Sequence, residues 1–241
     1  MPVPWLSSAY LADAPAEKQT AFPFTIPFVR TLDIALDDRI TVFAGENGSG
    51  KSTLMEALAE LVGLPWDGGG ATEFAASERT AQPRLAQFMR PRIRNKAPNK
   101  FFFRAEALSD FAHLLDARKA DPDFRKEGMA LADPYEHYGG ESLRTRSHCE
   151  AMVHLLTSHD RPGLYFFDEP ESALSPRAQT HFVKLLEQRL ETNQFQFVIA
   201  THSPIIMSIR RARIVSFDTP ELRTIRREDT GAWQTYAAFF K

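Results

Sequence analysis

Apolar positions fall into short blocks of two kinds along this chain. Residues 39–44, 164–167 and 195–200 are near-continuous apolar runs of strand length, the pattern of strands covered on both faces. Residues 28–36 alternate and predict a further strand, with Asp37-Asp38 as the turn into the next. Residues 53–61 show helical spacing. Residues 176–191 do so more clearly, with Ala178, Phe182, Val183, Leu186 and Leu190 on one face. Late strands are predicted at 212–217 and 222–226, and residues up to about Thr25, rich in Pro and Ala, read as irregular. Strands alternating with helices predict an α/β sandwich around a mainly parallel sheet.

Between the first strand–helix pair and the later ones the character changes. Gly68-Gly69-Gly70 breaks the pattern, and a basic stretch follows with Arg84, Arg90, Arg92, Arg94, Lys96 and Lys100. A strand at 101–104, a helix at 105–117 and a polar, turn-rich segment at 121–138 complete it, and the next helix starts near Cys149. We read 64–148 as an inserted, mostly helical subdomain within a single domain spanning 1–241.

The junction between the strand at 39–44 and the helix at 53–61 carries the chemistry. Gly45-Glu46-Asn47-Gly48-Ser49-Gly50-Lys51-Ser52-Thr53 satisfies the phosphate-binding pattern G-x-x-x-x-G-K-[ST] at every fixed position. Glycines let successive N–H groups turn inward toward phosphate oxygens, and the helix N-terminus adds partial positive charge. Lys51 is positioned to reach the outer phosphates and the Ser52 hydroxyl to hold Mg²⁺. A nucleoside triphosphate is the expected ligand.

Composition narrows the setting only modestly. Of 241 residues, 43% are hydrophobic and 25% charged, which suits a soluble globular protein. A net charge of −2 gives no global attraction to nucleic acid or anionic membranes. No apolar run approaches the roughly 20 residues that span a bilayer. The first residues lack the basic start and apolar centre of a secretion signal, and the one cysteine, Cys149, excludes an internal disulfide. A cytoplasmic location is the expectation.

A second segment separates one phosphate-loop chemistry from another. Leu164-Tyr165-Phe166-Phe167 ends in Asp168-Glu169-Pro170-Glu171, which sets carboxylates at a strand's C-terminal end, where such sheets bind ligands. Asp168 is the candidate for the magnesium ion and Glu169 for general base toward an attacking water. Adjacent strand residues point to opposite sides, so the pair is expected to divide its work.

Asp-Glu-Pro after an apolar strand, Ser172-Ala173-Leu174-Ser175 beyond it and Thr201-His202-Ser203-Pro204 after the next strand resemble the ABC-type ATPase superfamily. The resemblance covers the chain from about Phe22 to Phe240. It is nearest to small stand-alone predicted ATPases of the AAA_21 type, similar to the heads of SMC and RecF-like proteins and to ATPases of phage defence. It implies antiparallel N-terminal strands beside the core sheet and a dimer closed around two ATP·Mg²⁺. His202 then contacts the γ-phosphate and helps hold the attacking water. Ser172, Ala173, Leu174 and Ser175 form the loop that crosses the dimer interface, with Ser175 where aspartate is usual.

The same resemblance calls for a signature segment that binds the partner's γ-phosphate. Tyr138-Gly139-Gly140-Glu141-Ser142 and Ser147-His148-Cys149-Glu150 are the candidates. One helix and one turn should precede the Asp168 strand; Glu150 lies 18 residues before Asp168 and Glu141 lies 27, so Ser147, His148, Cys149 and Glu150 are preferred. Cys149 stands where the family pattern has glycine. For the linking glutamine, Gln82, Gln87 and Glu106 are candidates, with Glu106 first by position. Phe22, Phe24 and Phe28 are the candidates for stacking on adenine.

The implied function is ATP binding and hydrolysis by a soluble dimerising ATPase in DNA repair, maintenance or phage defence. DNA or an effector protein is the implied partner. The alternatives are a slow ATP-dependent switch on a partner protein, or the ATPase subunit of a transporter.

Overall fold

The computed structural model describes residues 3–12, 20–66, 68–70, 84–106, 108–121, 135, 140, 142 and 161–240. Its centre is a seven-stranded sheet. Five of its strands run parallel: β3 (Ile40–Ala44), β6 (Lys100–Arg104), β7 (Gly163–Asp168), β8 (Phe195–Thr201) and β9 (Arg213–Ser216), in the spatial order β9-β3-β8-β7-β6. Short antiparallel strands close the two edges, β10 (Arg223–Ile225) beside β9 and β4 (Gly69–Gly70) beside β6. A separate three-stranded antiparallel sheet holds β2 (Asp33–Ala35), β1 (Leu6–Leu11) and β5 (Met89–Ile93), with β1 in the middle.

β3, β7 and β8 are buried along their whole length. Successive side chains therefore supply two different cores, as the period-two geometry of a strand requires. Phe43, Phe102, Leu164, Phe166 and Val198 face one core, shared with helix α1 (Lys51–Leu61) and the antiparallel sheet. Val42, Phe101, Phe103, Tyr165, Phe167, Phe197 and Ile199 face the other, shared with α2 (Leu108–Ala120) and α3 (Pro176–Glu191). Phe182, Val183, Leu186 and Leu190 of α3 point inward as their spacing predicts. A last helix, α4 (Gly231–Phe239), was not foreseen and buries none of its residues.

Two expectations change. Residues 28–36 do not form one strand: Pro27–Thr31 is a 3₁₀ turn, begun at a proline that lacks the N–H a ladder needs, and only Asp33–Ala35 pairs. The supposedly irregular start contains β1, which pairs on both sides. The span 64–148 also contributes β5 to the antiparallel sheet and β6 to the core sheet. The helix expected from Cys149 lies outside the described residues.

β1 has little intrinsic reason to be a strand, with Ser7, Ser8 and Ala9 at its centre. A buried amide fixes its start. Gln196 of β8 is fully buried and accepts from the N–H groups of Trp5 (2.8 Å) and Leu6 (3.1 Å). It donates to the carbonyls of Leu6 (2.7 Å) and Leu36 (2.8 Å). Both donors and both acceptor positions of the amide are used, and it ties the antiparallel sheet to the core sheet. Gln196→Ala leaves buried backbone groups unpaired, so urea unfolding should show a loss of about 2–4 kcal/mol. An unchanged midpoint would mean that the amide does not hold the two sheets together.

Candidate functional site

The parallel strands end together on one side of the sheet. β3 runs into the loop Gly45–Gly50 (residues 45–50), and α1 begins at Lys51 with Gly50 as its N-cap. Gly50 has φ +94°, and a Cβ there would lie 2.9 Å from both Ile26 Cγ2 and Phe28 Cε1. Only glycine fits that turn. Gly45 is packed as closely, since its Cβ would meet Phe217 Cβ at 2.9 Å. The loop is steadied from β9's end, where the Asp218 carboxylate accepts from the Glu46 N–H at 2.8 Å. Lys51 is buried and donates to the carbonyls of Gly45 (2.8 Å) and Glu46 (2.9 Å).

Across the cleft, β7 delivers Asp168. The Ser52 hydroxyl donates to Asp168 Oδ1 at 3.1 Å, so the two oxygens assigned to a cation stand side by side. Burial pushes the Asp168 carboxyl up to about 6, against the pull of Arg104 and the Ser52 hydrogen bond. Glu169 leaves the strand. Its backbone is left-handed (φ 47°, ψ 52°), and it caps the 3₁₀ turn Pro170–Ala173. The expected opposition of Asp168 and Glu169 does not occur, because strand alternation stops at Asp168. Both line one cleft of about 300 Å³ with Asn47, Gly48, Ser52, Arg104, Ala105 and Glu106.

His202 follows β8 and is held by Glu171, not by Asp168 or Glu169. Glu171 Oε1 accepts from the His202 N–H (2.7 Å) and the Thr201 hydroxyl (2.7 Å), and His202 Nδ1 lies 3.2 Å from it. The imidazole is half exposed and stands outside the cleft's lining. Ser175 caps α3, its hydroxyl accepting from the Ala178 N–H at 3.3 Å. Serine and aspartate are comparable caps, so this residue keeps the structural work of the usual aspartate.

Other candidates separate clearly. Phe24 and Phe28 are buried in the core, which removes them as adenine platforms; Phe22, 45% exposed, is open. Gln87 is exposed on the 3₁₀ turn Leu85–Phe88. Glu106 does line the cleft. Gln82, Glu141, Ser147, His148, Cys149 and Glu150 lie outside the described residues. Sequence reasoning passed over Arg104, Glu171 and Asp218. The Glu-Pro-Glu spacing could have signalled Glu171, whereas Asp218 is far from the loop in sequence.

A larger hollow of about 730 Å³ lies at the other end of the sheet, lined by Arg39, Ile40, Glu187, Leu190, Asn193 and Arg210. Ile40 opens β3, so this hollow is a strand's length from the glycine loop. Two of its cations are engaged locally, Arg210 with Glu187 (3.1 Å) and Arg39 with the Leu190 carbonyl and Asn193. The glycine loop, Ser52 and the acidic pair line the smaller cleft and not this hollow.

With this geometry in hand, comparison with known proteins is informative. The family described as "AAA domain, putative AbiEii toxin, Type IV TA system" matches residues 145–208, and a second AAA domain family matches 24–62. The chain is 26% identical to the hemin import ATP-binding protein HmuV of Enterobacter cloacae over 79% of this chain and 78% of that one. It is 32% identical to the OLD nuclease of Thermus scotoductus over 34% of this chain and 17% of that one. The solved head of an SMC protein bound to the C-winged helix domain of ScpA superposes with a TM-score of 0.52 at 12% identity, covering 92% and 97% of the two chains.

This chain is an ATPase similar to ABC-type ATPases, its segment 145–208 matching the AAA_21 family. In this ATPase the matched segment 145–208 contains the Asp168 strand and the Thr201-His202 strand end, and 24–62 contains the glycine loop. The two family matches meet in space at the Ser52–Asp168 hydrogen bond. Among the described residues no helix is long and apolar enough to cross a membrane.

The raised Asp168 carboxyl makes a pH prediction. Between an ordinary aspartate value of about 3.9 and about 6, the folded chain keeps a proton that the unfolded chain releases. Stability therefore falls as pH rises through that window and is level above it. Asp168→Asn should be more stable than the parent at pH 7 by roughly 2–3 kcal/mol, with the gap closing below about pH 4. Denaturant titrations in EDTA would check this, and a gap independent of pH would refute it.

Proposed function

We propose that the chain binds ATP·Mg²⁺ in the cleft and hydrolyses it as a dimer, two nucleotides being closed between facing subunits. The observation that carries this reading is the Ser52–Asp168 contact at the strand ends, beside a glycine loop that only glycine can form. The phosphates lie on the loop's N–H groups and the N-terminus of α1, and Lys51 exchanges its loop carbonyls for phosphate oxygens.

The cation fits the residues. Two hard oxygen donors, a hydroxyl and a carboxylate, stand together with room for phosphate oxygens and water, as Mg²⁺ prefers. Ser52 and Asp168 would hold it, and it would neutralise phosphate charge. Glu169 takes the proton of the attacking water, its left-handed backbone aiming the carboxylate into the cleft. Glu171 orients His202, which holds the terminal phosphate or the water from the rim. Ser147, at the head of the 147–150 segment, completes the partner's site. The bounds 64–148 remain our reading of the inserted region.

DNA maintenance or defence is the process that we favour, and one surface feature supports it. Arg90 and Arg92 occupy alternate positions of β5, an edge strand, Arg94 follows just beyond its end, and all three are exposed. That spacing, about 6.8 Å between like-facing residues, is near two phosphate steps of about 3.4 Å each measured along the duplex axis. The SMC-head likeness and the short nuclease match agree with it. A nucleotide-controlled switch on an effector protein is the second reading, since Cys149 in place of glycine would slow turnover. A role as the cytoplasmic ATPase subunit of a transporter draws on the hemin-import relative.

Purified protein should hydrolyse ATP with Mg²⁺, and Lys51→Ala should abolish this. Glu169→Gln should slow turnover by about 100-fold or more and accumulate an ATP-bound dimer in light scattering; a monomer in saturating ATP would sink the sandwich. Reversing Arg90, Arg92 and Arg94 should weaken duplex DNA binding and flatten its salt dependence. Undiminished binding would remove DNA from that face.

A further inference from the structure

Among the described residues, Arg104 is the one cation that lines the cleft. It ends β6, and the parallel register sets it opposite Asp168. Its side chain is only 15% exposed. Nη1 pairs with Glu56 Oε1 of α1 at 2.9 Å, Nε lies 3.6 Å from Asp168 Oδ2, and Nη2 lies 3.9 Å from Glu106 Oε2. One guanidinium is thus shared among three carboxylates on three different segments.

The sharing is incomplete. Arg104 Nε is buried and has no hydrogen-bond partner among the described residues, since 3.6 Å is too long for a bond. A buried guanidinium donor left unpaired is costly, and its planar fork is shaped for two oxygens of one group, not for single oxygens of three. The cleft itself brings Asp168, Glu169 and Glu106 together around this cation. An incoming anion that offers paired oxygens therefore competes well for Arg104.

Direction follows from the sheet order. The glycine loop leaves β3, and β8 and β7 separate it from β6. The same cleft joins Asn47 and Gly48 of the loop to Arg104, so a phosphate chain seated by its inner groups on the loop would meet Arg104 if it extends toward β6. We propose that Arg104 is a terminal-phosphate sensor that holds Asp168 until a triphosphate arrives and then transfers its fork to the terminal phosphate. The transfer frees Asp168 for the cation next to Ser52. A diphosphate is too short to draw it away, so Arg104 sets the preference for ATP over ADP and couples cation binding to the triphosphate. The proposal rests on the nucleotide reading above.

Binding of fluorescent ADP and of a fluorescent non-hydrolysable ATP analogue, with Mg²⁺, tests it on the intact chain. Arg104→Ala should lose about 30-fold in affinity for the ATP analogue and Arg104→Lys about 10-fold, both keeping ADP within about 3-fold. Retained ADP binding also shows that each variant is folded. Freed from Arg104, Asp168 should let Mg²⁺ tighten ADP binding more in Arg104→Ala than in the parent. Equal losses for the two nucleotides, or no loss for either, would overturn the sensor. Lys51→Ala separates the underlying reading: it should weaken both nucleotides together. A parent protein that binds neither would remove the nucleotide reading and the sensor with it.

Discussion

A sheet covered on both faces has nowhere to put charge except at the ends of its strands. The five parallel strands of this ATPase are flanked by apolar packing on one side from α1 and the antiparallel sheet, and on the other from α2 and α3. Gln196, at the centre of that packing, has every bonding position met. Because the strands run in register, their ends fall level: Phe43, Ala200, Asp168 and Arg104 stand in one row, with Ala44 and Thr201 one residue beyond it. The glycine loop, the acidic pair and His202 are consequences of that row. Placing any of them elsewhere would bury a charge without a partner, at several kcal/mol.

Concentrating the groups at one edge creates a second constraint, which is electrostatic. Burial raises the carboxyls of both Asp168 and Glu56, yet Arg104 lies close to each. One cation does not satisfy this many acids in so dry a place, so the cleft is left short of positive charge. That shortage is what a hard cation and its phosphates would relieve, with Lys51 withdrawn onto its own loop. The cost of assembling like charges is stored in the fold and released on binding, a common arrangement at sites that must distinguish ligand charge.

Much of the fold and the centre of the site were legible because their signals are local. A nine-residue string specified the strand–loop–helix turn, and solid apolar runs specified β3, β7 and β8. Residues whose meaning depends on distant partners were not legible. β1 exists because Gln196, some 190 residues away, bonds its first amides. Asp218 supports the loop from the end of the neighbouring strand β9, 172 residues away in sequence, and Arg104 gains its role from a cross-strand register that no spacing encodes. Two of the three aromatic candidates are settled for a related reason: the sequence leaves Phe24 and Phe28 open to a core position as well as to adenine, and closing the core against α1 takes both.

Glu169 shows how a local departure can resolve a problem set by regular structure. Alternation along β7 would send Asp168 and Glu169 to opposite faces, and only one could then serve the cleft. Pro170 cannot donate to a ladder, so the strand has reason to stop just before it. The Glu169 N–H still bonds the Ala200 carbonyl at 2.9 Å, so the strand pair stays closed to its last step. Beyond that bond the backbone turns left-handed, which costs a non-glycine residue about 1–3 kcal/mol, and the turn that follows places Glu171 beneath His202. Thus the five residues from Asp168 to Ser172 deliver one carboxylate beside Ser52, a second into the same cleft, and a third to the strand next door. The strain at Glu169 is what allows a single strand end to supply all three.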